Sequence, residues 1–92
     1  MSISFIIPYH NIECHFFTRC IDSIRALGYE LELEIIVIDD GTPQSKAKEC
    51  IESYQDSRIK YTLIPYSGPG GARNKGLELA SKEYVQMIDS DD

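Results

Sequence analysis

Basic residues are scarce in this chain: 9 Lys and Arg stand against 15 Asp and Glu over 92 residues, for a formal charge of -6. Affinity for nucleic acid rests on neutralising phosphates with cations, so this balance argues against a nucleic-acid binder. Cysteine is scarce too. Cys14, Cys20 and Cys50 are odd in number and form no C-x-x-C pair, which suggests neither a disulfide framework nor a zinc site. Buried free thiols in a reducing cytoplasm are the expectation. No stretch approaches the roughly 20 apolar residues that span a bilayer. The opening Met1-Ser2-Ile3-Ser4-Phe5-Ile6-Ile7-Pro8 has neither the basic region nor the apolar length of a signal peptide. The expected location is the cytoplasm, with the membrane surface left open for a longer protein. Repeats, low-complexity segments and linkers are missing as well. A chain of this size buries roughly 60–65% of its unfolded surface, so one modest α/β unit over residues 1–92 is all it can hold.

What is present alternates between strand and helix periods. Ser4-Phe5-Ile6-Ile7 is a brief apolar run stopped by Pro8. Ile12, Phe16, Cys20, Ile24 and Leu27 recur at helical spacing, Phe17 and Ile21 widen that stripe, and Gly28 ends it. Within Leu33 to Ile38, the near-continuous Ile35-Ile36-Val37-Ile38 reads as a strand buried on both faces. Thr42-Pro43 reads as an N-cap and first helical residue, opening a helix with Ala47, Cys50, Ile51 and Tyr54 on one face. Ile59 to Ile64 is a third strand, ended by Pro65. Ser67-Gly68-Pro69-Gly70-Gly71 reads as a loop. Ala72, Gly76, Leu79 and Ala80 then give a helix with a small, close-packing face, and Tyr84 to Ile88 a fourth strand. The order βαβαβαβ predicts an α/β fold with a mostly parallel four-stranded sheet flanked by helices.

In such sheets ligands bind beyond the carboxyl ends of the strands. Those ends carry Pro8-Tyr9-His10-Asn11, Asp39-Asp40-Gly41-Thr42 and Asp89-Ser90-Asp91-Asp92, which collects five Asp on one rim. Clustered hard oxygens such as Asp89, Asp91 and Asp92 suit Mg2+ or Mn2+, which can also hold a diphosphate; a solvated acidic chain end is the plainer reading. Of Asp39 and Asp40, one can bond a base N–H or ribose hydroxyls while the other caps a helix or holds the turn. The glycine-rich loop leads to Arg73 and Lys75 at a helix start, where backbone N–H groups can meet an anion. It matches neither G-x-x-x-x-G-K-[ST] nor G-x-G-x-x-G, so a plain tight turn is the ordinary interpretation. Tyr9 and His10 can stack on a flat base, and His10 suits a hydrogen-bonded wall better than a metal.

Four segments, in order, resemble the family 2 glycosyltransferases, which have the GT-A fold. Ser4 to Asn11 resembles the family's opening strand, which usually ends Pro-x-Tyr-Asn. Glu34-Ile35-Ile36-Val37-Ile38-Asp39-Asp40-Gly41-Thr42 resembles its E-I-I-V-V-D-D-G-S run. Gly70-Gly71-Ala72-Arg73-Asn74-Lys75-Gly76-Leu77 resembles its G-x-A-x-A-R-N-x-G stretch. Glu83 to Asp92 resembles the strand that delivers its D-x-D motif. The resemblance covers essentially the whole chain and implies a Rossmann-like, partial GT-A unit.

It also implies roles. Pro8 and His10 would line a base pocket, Asp40 would bond the base with Asp39 close by, and Arg73 would lie near the nucleotide. Asp89 would face ribose or sugar, and Asp91, with Asp89, would hold the Mn2+ or Mg2+ that grips a nucleoside-diphosphate sugar, most naturally a UDP-sugar. The acceptor would be a saccharide or lipid-linked molecule in surface polysaccharide synthesis. His10 and Pro69-Gly70-Gly71 depart from the family pattern. The catalytic base is expected beyond Asp92, so these residues alone are expected to bind donor weakly, to transfer nothing, and to self-associate through uncovered strands.

Two other classes stay open. Another nucleotide-binding α/β domain would show a glycine-rich stretch right after strand one, where this chain has Tyr9-His10-Asn11. A non-catalytic interaction module would turn the acidic rim to a basic partner and be indifferent to Mn2+ beyond screening.

Overall fold

The computed structural model describes residues 1–10, 14–28, 31–41 and 47–89. β1 (Ser2–Tyr9), α1 (Cys14–Arg25), β2 (Glu32–Asp40), α2 (Ala47–Glu52), β3 (Ile59–Ile64), α3 (Gly68–Leu79) and β4 (Tyr84–Met87) follow in the expected alternation. The sheet order is β3-β2-β1-β4, and every pairing is parallel. The chain therefore builds outwards from β1 to β3, then crosses back to place β4 on the other side of β1. With right-handed crossovers this reversal puts α3 on the opposite face from α1 and α2. The reversal between β1 and β4 is the switch point at which open parallel sheets hold ligands.

β1 runs past the expected stop at Pro8. In a strand, N–H and C=O of alternate residues point to the same side, and the Ile6 carbonyl accepts from Ile88 N–H on the β4 side at 3.0 Å. Pro8 points the same way, beyond the last β1–β4 pair at Ile6 and Met87. Its missing N–H thus breaks no ladder bond there.

The two sheet faces pack differently. On one, Phe5, Ile7, Tyr9, Ile35 and Val37 meet Phe17, Cys20, Ile21 and Ile24 of α1 and Ala47 and Cys50 of α2. The α1 stripe is centred on Phe17, Ile21 and Ile24, while Phe16 and Leu27 of the expected stripe are exposed. On the other face, Ile6, Ile36 and Ile38 meet Ala72. A Cβ on Gly76 would lie 2.3 Å from Ile6 Cγ2, so at Gly76 the backbone of α3 rests directly on the Ile6 side chain.

The glycine-rich segment expected as a loop is instead the first turn of α3, which starts at Gly68 with Pro69 near its N-terminus. Proline there sets the helical φ and lacks only an N–H that would have no partner anyway. A second correction concerns cysteine. Cys14 and Cys50 are joined by a disulfide between α1 and α2, their Cα atoms 6.2 Å apart, and Cys20 is a buried thiol outside that bond. Both helices lie on the same face, which brings residues 36 apart in sequence within bonding reach. The helix cap expected at Thr42-Pro43 lies outside the described residues.

The amino-terminal rim is heavily braced. Glu34, 1% exposed, accepts from Ser4 Oγ, from Ser81 N–H at 2.7 Å and Ser81 Oγ at 2.8 Å, and from Lys60 Nζ at 2.6 Å. Burial pushes this carboxyl up, but the bonds from Lys60, Ser4 and Ser81 outweigh it and hold the pKa at about 2. Nearby, Asp56 pairs with Arg58 at 2.8 Å and Arg25 at 3.2 Å. The Arg58 hydrogen bonds hold its carboxyl well below the usual range against the opposing effect of burial.

Candidate functional site

At the carboxyl ends of the strands, β2 finishes in two acids that face opposite ways. Side chains alternate along a strand, so Asp39 points to the α1–α2 face and Asp40 to the α3 face. Asp39 is fully buried and accepts a hydrogen bond from Tyr61 Oη at 2.5 Å. It is an interior acid, tying β2 to β3.

Asp40 is 4% exposed. Its Oδ1 accepts from Ser67 N–H at 2.8 Å and from Ser67 Oγ at 3.3 Å. Oδ2 accepts no hydrogen bond among the described residues. An ionised carboxylate can accept several donors, so Asp40 keeps acceptor capacity at the rim. Its backbone carbonyl lies 2.9 Å from His10 Nδ1. A carbonyl only accepts, so Nδ1 carries the proton.

The next residue, Gly41, has φ +66, and a Cβ there would lie 2.5 Å from Tyr66 N. The turn after β2 is thus pressed against the segment that starts α3. Tyr66 places its ring 5.0 Å from that of His10, tilted by 50°. His10, Asp40, Gly41, Tyr66 and Ser67 form one connected unit.

The other expected site residues are distributed around it. Pro8 is half-buried at the end of β1. Tyr9 is only 2% exposed and packs edge-on against Phe17 at 5.0 Å. The base-stacking role expected for it is corrected: its ring belongs to the core, because it falls on the α1 face of β1. Arg73 is exposed on α3, one residue beyond buried Ala72. Asp89 is exposed; continuing the Ile6–Met87 register sets it level with Pro8 at the switch point. Asp91 lies outside the described residues. Among the described residues no cluster of three metal-ligating side chains occurs, and no helix is long and apolar enough to cross a membrane.

Tyr66, Ser67 and Tyr61 were not anticipated from sequence. Tyr66 and Ser67 follow strand three as the Asp pair follows strand two, and that position was the available signal. A groove of about 440 Å³ runs beside Tyr66, bordered by Pro65, Asn74, Lys75 and Glu78 among others. Asp40 and His10 do not border it.

A parallel sheet ordered β3-β2-β1-β4, with an acid and paired rings at its carboxyl rim, is an α/β unit of the class that holds ligands beyond the carboxyl ends of its strands. The pattern of glycosyl transferase family 2 matches residues 4–92, and the chain belongs to that family. It is 38% identical to glycosyltransferase GlyA of Streptococcus pneumoniae over 98% of this chain and 13% of that protein. It is 37% identical to the succinoglycan biosynthesis protein ExoW of Rhizobium meliloti over 98% of this chain and 29% of that protein. The crystal structure of S. aureus TarS 1–349 superposes with a TM-score of 0.85 at 30% identity, covering 100% of this chain and 28% of that one. The same protein in complex with UDP superposes at 0.81 with 28% identity, covering 99% and 28%. The chain thus spans under a third of each of these proteins. It is a glycosyltransferase-type α/β unit.

Proposed function

We propose that these 92 residues form the donor side of a sugar transferase, holding a nucleoside-diphosphate sugar, UDP-linked, at the carboxyl rim. The observation that carries this reading is Asp40: nearly buried, fixed through Oδ1 by Ser67, with Oδ2 unengaged among the described residues and a ring pair beside it. A base N–H facing Oδ2 would gain a charge-assisted bond. TarS complexes with UDP and with UDP-GlcNAc support a uridine donor.

Asp89 is an exposed hard-oxygen donor at the switch point and fits Mg2+ or Mn2+. Together with Asp91 it would hold that cation, which when bound acts as a Lewis acid toward the leaving diphosphate. Arg73, at the first turns of α3, adds a positive charge for the phosphates. Among the described rim residues, Asp39 is committed to Tyr61 and His10 to the Asp40 carbonyl. None is therefore assigned to deprotonate an acceptor, and donor binding without transfer is expected of this chain. The acceptor in this reading is a saccharide or lipid-linked molecule of polysaccharide synthesis. β3 and β4 are the sheet edges and Tyr84 and Val85 are exposed on β4, which supports self-association; a monomer in sedimentation at high concentration would count against it.

Calorimetric titration with UDP, in Mn2+ and then with chelator, tests the reading beside GDP and NAD. UDP binding that needs metal and falls about tenfold in Asp40→Asn, the loss of one charge-assisted bond, is expected. Preference for NAD, or binding indifferent to Mn2+, would point instead to another nucleotide domain or a protein-docking surface.

A further inference from the structure

We propose that Tyr66 is the stacking wall of this site: its exposed ring, paired with His10, takes the face of the base whose edge Asp40 meets. The inference rests on the nucleotide reading above and adds a residue which that reading does not require. Tyr66 is 65% exposed, although tyrosine usually buries most of its ring. Yet its backbone is held on both sides. Gly41 crosses so closely that a Cβ would lie 2.5 Å from Tyr66 N, and the following N–H, of Ser67, donates to Asp40 Oδ1 at 2.8 Å. The ring partner is fixed as well, since His10 Nδ1–H donates to the Asp40 carbonyl at 2.9 Å. Both rings are thus referenced to the same residue that offers the free acceptor.

An exposed aromatic on an immobilised backbone loses little further freedom when a flat ligand lies on it. The other candidates are placed elsewhere. Tyr9 is in the core, Phe16 lies on α1, and exposed Tyr84 starts β4 at the opposite rim. Base–aromatic stacking works for every base, so Tyr66 contributes grip while Asp40 contributes selection.

The test follows amide chemical shifts of the 92-residue chain, in Mg2+, during titration with UDP and separately with pyrophosphate, which has no base. Tyr66→Ala is expected to weaken UDP about tenfold, the loss of one stacked base, and to leave pyrophosphate unchanged. Tyr66→Phe, which keeps the ring, should stay within about twofold of the parent. Because the ring is mostly exposed, the melting temperature of Tyr66→Ala should match the parent's. If Tyr66→Ala binds UDP like the parent while Asp40→Asn has lost it, the stacking role is wrong and the nucleotide reading stands. Equal weakening of UDP and pyrophosphate would also overturn it, reducing Tyr66 to a structural part. If the parent itself binds no UDP, both fall together.

Discussion

Glu34 and Asp40 occupy the two ends of one face of β2, with Ile36 and Ile38 between them, and each is bound by a serine at one end of α3. Ser67, at the helix start, gives Asp40 its N–H and hydroxyl. Ser81, just past the helix end, gives Glu34 the same two groups. A helix of 12 residues is about 18 Å long, and the strand between the two acids about 20 Å, so the anchors are matched in spacing. What differs is completion. Glu34 also receives Ser4 and Lys60, which engages both its oxygens, whereas Asp40 keeps Oδ2 at the rim. The same construction is a closed brace at one end and, at the other, leaves one carboxylate oxygen open among the described residues.

Removing the brace should have the largest effect. Glu34→Ala leaves the buried Ser4 hydroxyl and the two Ser81 donors without their acceptor and is expected to destabilise by about 2–4 kcal/mol in urea unfolding. UDP affinity of the remaining folded protein should be unchanged. If stability were unaffected, the asymmetry between the two ends would be lost.

Next comes acid. Glu34 has its pKa lowered from 4.5 to about 2 in the folded state, so its stabilisation is full above pH 4.5 and is lost as pH falls towards 2. Thermal melts across that window should show the loss, and Glu34→Gln should flatten the part of the profile that belongs to this group. Gly76→Ala sharpens the comparison from the middle of the helix. Its Cβ would enter Ile6, lifting α3 off both anchors, at an expected cost of about 1–3 kcal/mol with UDP binding weakened in parallel. The smallest effect is expected for Lys60→Met. Lys60 is 57% exposed in its pair with Glu34, so its loss should cost under about 1 kcal/mol and separate the donors of Ser4 and Ser81 from the solvated ammonium.

Much of this was legible in the residues. The four strands show as short β-type runs, and Asp39-Asp40 and Asp89 fall at the carboxyl ends of β2 and β4. Other features depend on partners far along the chain. Glu34 reads only as a polar strand start until Ser81 arrives from 47 residues away. Tyr9 and His10 look alike as rim aromatics, and only the alternation of β1 sends one into the core. Asp39 and Asp40 are likewise separated by the pleat and not by chemistry. The Gly68-Pro69-Gly70-Gly71 segment looks like a loop by propensity, yet helix starts tolerate both residue types. No spacing rule pairs Cys14 with Cys50; that bond is a consequence of α1 and α2 sharing a face.

The strand order carries a consequence for assembly. The contacts that build the Asp40 unit close short circuits of chain: 27 residues from Ser67 to Asp40 and 30 from His10 to Asp40. Asp89 reaches the same rim only through β4, whose docking against β1 joins Ser2 to Glu83 across 81 residues. Closing a longer circuit forfeits more chain entropy and comes later in folding. The contacts among His10, Asp40 and Ser67 should therefore exist before the part of the rim that carries Asp89, and partial unfolding should release them in the reverse order.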